Sequence, residues 1–118
     1  MILDTTLKLE VVLTAAKTTN DMDVTVDYFD WNKSGNPTPP ASYRTASNGT
    51  SDVTILAAPP SNPVREPTKI SIYNKDTASK IVIVKTDDGT TEKIEARVTV
   101  PTLGTLVWEK LSGWQLVT

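Results

Sequence analysis

Along most of the chain apolar and polar residues alternate with a period of two, the spacing that sends successive side chains to opposite faces of a β-strand. Leu7, Leu9, Val11 and Leu13 share one face of a first predicted strand, and Lys8 and Glu10 take the other. The surrounding TLKLEVVLTAAK also contains good helix formers, so it is the alternation that favours a strand there. From Asp23 to Trp31, Val24, Val26 and Tyr28 fall on one face and Thr25, Asp27, Phe29 and Trp31 on the other. Val53, Ile55 and Ala57 begin a further strand, which ends at Pro59 and Pro60 because proline cannot donate to a central ladder.

Beyond Thr68 the predicted strands follow at short spacing. KISIYN directs Ile70 and Ile72 inward, and Asn74, Asp76 and Ser79 supply turn-forming side chains. KIVIVKT is an almost unbroken apolar run, the pattern of a strand near the sheet centre buried on both faces. Asp88-Gly89 signals a tight hairpin with positive φ at both residues, and the returning strand places Ile94, Ala96, Val98 and Val100 on one face. Leu103 to Trp108 and Trp114 to Val117 form a last pair, reversed at Ser112-Gly113, with Trp108 and Trp114 packed across it. About eight strands without a convincing helix predict one all-β domain over residues 1–118, a β-sandwich of Greek-key or jelly-roll type. Its expected core is Leu9, Val11, Val24, Val26, Ile70, Ile72, Val82, Val84, Ile94, Val98 and Trp114.

Three segments fall outside the strand rhythm. Residues 1–6 read as an extended N-terminal arm. Residues 32–51, rich in Pro, Ser, Thr, Asn and Gly, read as a loop of about twenty residues, a length that in compact domains marks a functional or disordered segment. Residues 58–67, APPSNPVREP, have four prolines in ten positions and read as a stiff crossover between the halves of the sandwich. Partner contacts are expected in the arm and the long loop. Pro37, Pro39 and Pro40 restrict the unbound chain, Tyr43 and Arg44 are the residue types that carry disproportionate interface energy, and Trp31 stands at the loop base.

Composition removes most chemistry. Thr, Val and Ile make up roughly a third of the chain, the residue types that suit a pleated sheet, and there is no histidine and no cysteine. Imidazole- or thiolate-based nucleophile systems and zinc sites are therefore closed to it. With 12 Lys and Arg against 14 Asp and Glu, the formal charge of −2 offers no basic stripe for nucleic acid. No apolar run approaches the ~18 residues a membrane span needs, and the start has no signal-peptide pattern.

Asp21, Asp23, Asp27, Asp30 and Asn32 are dense enough to raise calcium, but their spacing is not that of an EF-hand loop and alternation puts Asp23 and Asp27 opposite Asp30. A solvated strand face explains them, and turn geometry explains Asp87 and Asp88. Neither catalytic residues, a cofactor nor a metal is expected, although a carboxylate pair of hydrolase type could meet across any fold. Tyr28, Phe29, Trp31 and Tyr43 lie near the long loop and read as core or subunit contacts first and as a sugar-stacking platform second.

The run TILAAPP, then REPTKISIYNKDTASKIVIVK, then TVPTLGTLVWEKLSGWQLV resembles a pattern in small virion proteins of tailed bacteriophages, and the opening KLEVVLTAAKTTNDMDVTVDYFD is similar to their start. The resemblance spans nearly the whole chain. It implies a non-enzymatic β-sandwich of the virion, assembled in the host cytoplasm: a capsid decoration protein, as a homotrimer on the major capsid protein, or a tail-fibre or receptor-binding module that contacts a glycan. One departure stands out, since Leu103-Gly104 occupies a turn where related chains tend to carry Pro-Gly.

Overall fold

The computed structural model describes residues 1–60 and 64–118. Its nine strands are β1 (Lys8–Leu13), β2 (Asp23–Trp31), β3 (Ala41–Ala46), β4 (Val53–Leu56), β5 (Val64–Tyr73), β6 (Lys80–Asp87), β7 (Glu92–Val100), β8 (Thr105–Glu109) and β9 (Gly113–Val117). They form two sheets, ordered β4-β1-β6-β7 and β3-β2-β5-β8-β9, and every pairing is antiparallel. The two sheets pack face to face as a single β-sandwich, with no helix among the described residues.

Alternation built the interior as expected over most of its length. Leu9, Val11 and Leu13 of β1, Val24 and Val26 of β2, Ile70 and Ile72 of β5, and Val82 and Val84 of β6 are all buried between the sheets. Val98 and Trp114 pack against this core from its margin, while Leu106, Trp108, Val100, Ile55, Leu56 and Met22 complete it. Trp108 and Trp114 are directly paired across the final hairpin, their rings 6.4 Å apart.

Ile94 is the exception: it is 59% exposed. The β6–β7 register runs Val84↔Ala96 and then Lys85↔Ile94, so Glu95 is an extra residue and the strand contains a bulge. One inserted residue reverses the faces beyond it, and Ile94 turns out beside Lys85 while Ala96, Val98 and Val100 remain inward. β6 is an inner strand as its apolar run predicts. Only one of its faces is closed, however, and Ile81 and Ile83 are half-buried on the outer surface of the four-stranded sheet.

The predicted loop over 32–51 contains a whole strand. β3 pairs with β2 from Asp23↔Ala46 to Tyr28↔Ala41, leaving a hairpin connection over Asn32 to Pro40. That connection is organised by its own polar groups: the Asn32 Oδ1 accepts the amides of Ser34 (3.1 Å) and Asn36 (3.0 Å), and Thr38 N–H reaches Asp30 O at 2.7 Å. ASYRTA escapes a periodicity reading because five of its six residues are exposed; an edge strand is held by its backbone ladder rather than by an apolar face.

The N-terminal arm is not free either. Leu3 is fully buried and exchanges both backbone hydrogen bonds with Arg65, at 2.8 and 2.7 Å, so the arm is anchored at Leu3 against the start of β5. Of the predicted crossover over 58–67, β5 already includes Val64 to Pro67, and Ser61 to Pro63 lie outside the described residues.

Turn chemistry differs from the expectation at one hairpin and clarifies another. Between β6 and β7 the connection is four residues, Asp88 to Thr91, in which Gly89 has φ +92° and Asp88 keeps a negative φ. The Asp88 Oδ1 accepts the amides of Thr90 (2.8 Å) and Thr91 (2.7 Å), so a side-chain-capped loop replaces the two-residue turn. Before β8, Gly104 N–H closes on Pro101 O at 2.9 Å and Leu103 adopts φ +64°. The left-handed residue is thus Leu103, where glycine or asparagine normally stands. Gly104 is required for space, because a Cβ there would lie 3.0 Å from the Pro101 carbonyl.

Candidate functional site

The edge of the five-stranded sheet at β3 carries a pocket of about 170 Å³ lined by Tyr28, Tyr43, Thr54, Leu56, Ala57 and Arg65. Register explains its composition. Tyr43 stands opposite the buried Val26 and shares its inward face, but it belongs to the edge strand and remains 46% exposed. Tyr28 continues the inward face of β2, and a bulge in the β2–β5 pairing between Asp27 and Tyr28 brings Arg65 inward beside Asp30.

Arg65 forms the polar wall. Its Nε and Nη2 donate to the two Asp30 oxygens at 2.8 and 3.1 Å, its Nη1 donates to Ala57 O at 2.9 Å, and its guanidinium lies 4.7 Å from the centre of the Tyr28 ring. A bidentate pair of this kind fixes the guanidinium plane and presents Tyr28 as a rigid surface. Two tyrosines, an aliphatic floor and a guanidinium already paired with Asp30 line the pocket, groups whose chemistry suits stacking against a small planar or sugar-like ring.

The other candidate contacts are dispersed around this site. Arg44 is next to Tyr43 but lies opposite Thr25, on the outer face of the sheet. Trp31, half-buried, is also on that outer face, six positions farther along β2 than Thr25 and therefore about 20 Å away. It does stand at the loop base, bridged to Pro37. Its ring meets Phe29 edge-on at 5.5 Å and its Nε1 donates to Glu66 Oε2 at 2.9 Å. Lys110 also pairs with the Glu66 carboxylate. Burial pushes the Glu66 carboxyl up, but the hydrogen bonds from Lys110 and Trp31 outweigh it and hold the group below its ordinary value. Pro37, Pro39 and Pro40 are exposed on the connection beyond β2. Tyr43 is thus the one predicted contact that lines the pocket.

The aspartates of the β2 region each have a local partner. Asp21 accepts from Ser47 Oγ and Gly49 N and pairs with Lys17 at 3.2 Å, Asp23 pairs with Lys75 at 2.9 Å, and Asp27 accepts from Ser42 Oγ at 2.6 Å. With Asp30 held by Arg65, they do not converge.

Two polar centres went unseen in the sequence. Asp76, 1% exposed, accepts the amides of Thr18 (2.8 Å), Thr19 (2.7 Å), Asn20 (3.1 Å) and Thr77 (2.8 Å), and so ties the β1–β2 loop to the β5–β6 turn. Burial alone would raise its pKa; the four amides reverse that and hold the carboxylate far below its ordinary value. Asn74, fully buried, donates to Ala78 O and Val100 O and accepts from Asp76 N. The second centre is on the outer face of the four-stranded sheet, where Glu10, Asp87 and Glu92 bring carboxylate oxygens within 4.8 Å of one another. Asp and Asn at a turn were the only sequence signal for the first; nothing in the spacing of 10, 87 and 92 announces the second. No protein-family model, no curated protein and no solved structure matches this chain.

Proposed function

We propose that this chain is a non-enzymatic structural protein of a tailed-phage virion, a capsid decoration protein that attaches as a homotrimer to the major capsid protein. The resemblance of its strand-and-turn motifs supplies the class. The observation that carries the reading is the exposed edge strand β3, which presents Tyr43 on one face and Arg44 on the other beside an unpaired ladder edge. Such an edge can accept a strand or an extended arm from a neighbour, and Tyr and Arg are the residue types that anchor interfaces. A protein that binds the assembled shell in preference to free subunits stabilises the shell by mass action, and three linked attachments multiply weak contacts.

The test is to add purified protein to capsids that lack it. Tyr43→Ala with Arg44→Ala should preserve the far-ultraviolet circular dichroism of a β-protein and lower capsid occupancy at least tenfold at sub-saturating concentration. Wild-type occupancy with an unchanged oligomer in sedimentation would remove the edge strand from the interface.

The pocket favours a second reading, a tail-fibre or receptor-binding module for a surface glycan, because Tyr28 and Tyr43 both line one small cavity. Here Tyr28→Ala would abolish glycan binding on an array, and the protein would localise to the tail in a map of the intact virion.

A further inference from the structure

On the outer face of the four-stranded sheet three neighbouring strands bring together a cluster whose charge is not balanced. In register, Lys8 stands opposite Asp87, Glu10 opposite Lys85, and Asp87 opposite Glu92. Lys85 Nζ binds Glu92 Oε2 at 2.8 Å and Asp52 Oδ1 at 2.9 Å, while Lys8 Nζ lies 3.4 Å from Glu10 Oε2 and 4.0 Å from Asp87 Oδ2. Four carboxylates thus face two ammonium groups.

Glu10 is the anomaly. It is 5% exposed, its Oε1 is buried without a hydrogen-bond partner, and its carboxylate lies in the group whose oxygens, with those of Asp87 and Glu92, stand within 4.8 Å of one another. Leaving a charged acceptor buried and unsatisfied is costly, and either a proton or a cation at Oε1 relieves that cost. Burial and the facing Asp87 carboxylate both push the Glu10 carboxyl above its ordinary value.

We propose that Glu10, Asp87 and Glu92 form a binding site for a hard divalent cation, with calcium the best match. The donors are all oxygen, which selects calcium, magnesium or manganese over zinc or copper. Three carboxylates can supply up to six oxygens, and the exposed Glu92 leaves room for water to complete the shell that calcium prefers. One divalent ion also cancels the two excess negative charges of the cluster. All three ligands stand at strand positions, so the cation would lock β1, β6 and β7 together at the end of the sheet where the β6–β7 hairpin turns. This departs from the expectation that the carboxylates of this chain serve only strand faces and turns.

The test starts from chelator-treated protein near pH 7.5, titrated with calcium chloride to about 10 mM, beyond the 10⁻⁴–10⁻³ M dissociation constants of weak protein calcium sites, at ionic strength matched with sodium chloride. The melting temperature should rise by several degrees with calcium and not with sodium, and Glu10→Gln and Glu92→Gln should each reduce the rise by at least half. Glu92 is exposed, so its variant folds even if Glu10→Gln does not. With manganese, amide resonances of Lys85, Asp87 and Ile94 should broaden before those of β3. No rise with calcium, or an equal rise in Glu92→Gln, overturns the proposal. So does a metal-insensitive protein that instead becomes more stable on mild acidification, the signature of a proton shared by Glu10 and Asp87.

Discussion

The carboxylate of Asp76 accepts the backbone amide of Thr19 at 2.7 Å, although the two residues stand 57 positions apart in the chain. Together with the amides of Thr18 and Asn20 it replaces the secondary structure that the β1–β2 loop lacks, and Thr102 adds a hydroxyl bond to the Asp76 carbonyl. The hub therefore fastens three loops at one end of the sandwich.

Asp76→Asn should lower the melting temperature by at least about 5 °C, since a neutral amide cannot accept all four backbone donors equally. The pH dependence follows from the sign of the shift. The folded pKa lies below the ordinary value of 3.8, so the stabilisation is fully present above that value and is lost as pH falls towards the folded pKa. Acid unfolding of the wild type should steepen below about pH 4, and Asp76→Asn should flatten that limb; identical acid limbs in the two proteins would contradict this assignment.

Val84 and Ile94 separate the two faces of the bulged β6–β7 pair. Val84→Asp places an unpaired charge in the sealed interior and should cost about 4 kcal/mol or more, enough to unfold much of the protein. Ile94→Asp, on the outer face, should change stability by no more than about 0.5 kcal/mol. Chemical denaturation of both variants checks the register directly, because an unbulged strand would bury Ile94 and make both substitutions severe.

Leu103 holds a left-handed backbone with its side chain 68% exposed, so its strain is not repaid by burial. Leu103→Gly should stabilise by up to about 1 kcal/mol, the left-handed penalty less the entropy that glycine loses on folding. Leu103→Asn should lie between the two. A destabilised glycine variant would mean that the exposed Leu103 side chain makes contacts that matter more than its backbone.

The β2–β3 hairpin can be shortened only at its tip. Replacing Lys33 to Asn36 by a two-residue Asn-Gly turn should leave the sandwich folded, because these residues are exposed and their hydrogen bonds stay within the connection, chiefly to Asn32. Removing Gly35 to Asn48 instead deletes β3 and leaves β2 with an open edge, and should promote aggregation in light scattering. Equal solubility of the two deletions would show that β3 is dispensable.

Alternation alone determined the all-β class, the inward faces of β1, β2, β5 and β6, and the Trp108–Trp114 pairing, because these depend on a period of two and on a short turn. Register across strands decided the rest. A single extra residue at Glu95 turned Ile94 outward, and no property of the sequence KIEARV requires that insertion without its partner β6. β3 was hidden because an edge strand is stabilised by backbone bonds to β2, which leave no apolar signature. Residues 1–6 read as an extended arm with no internal partner in view, because the strand that receives Leu3 lies more than sixty positions away. The candidate sites follow the same logic: Tyr43 was recognisable as an anchor by residue type, but its union with Tyr28 and Arg65, and that of Glu10 with Asp87 and Glu92, exists only once strands distant in sequence are laid side by side.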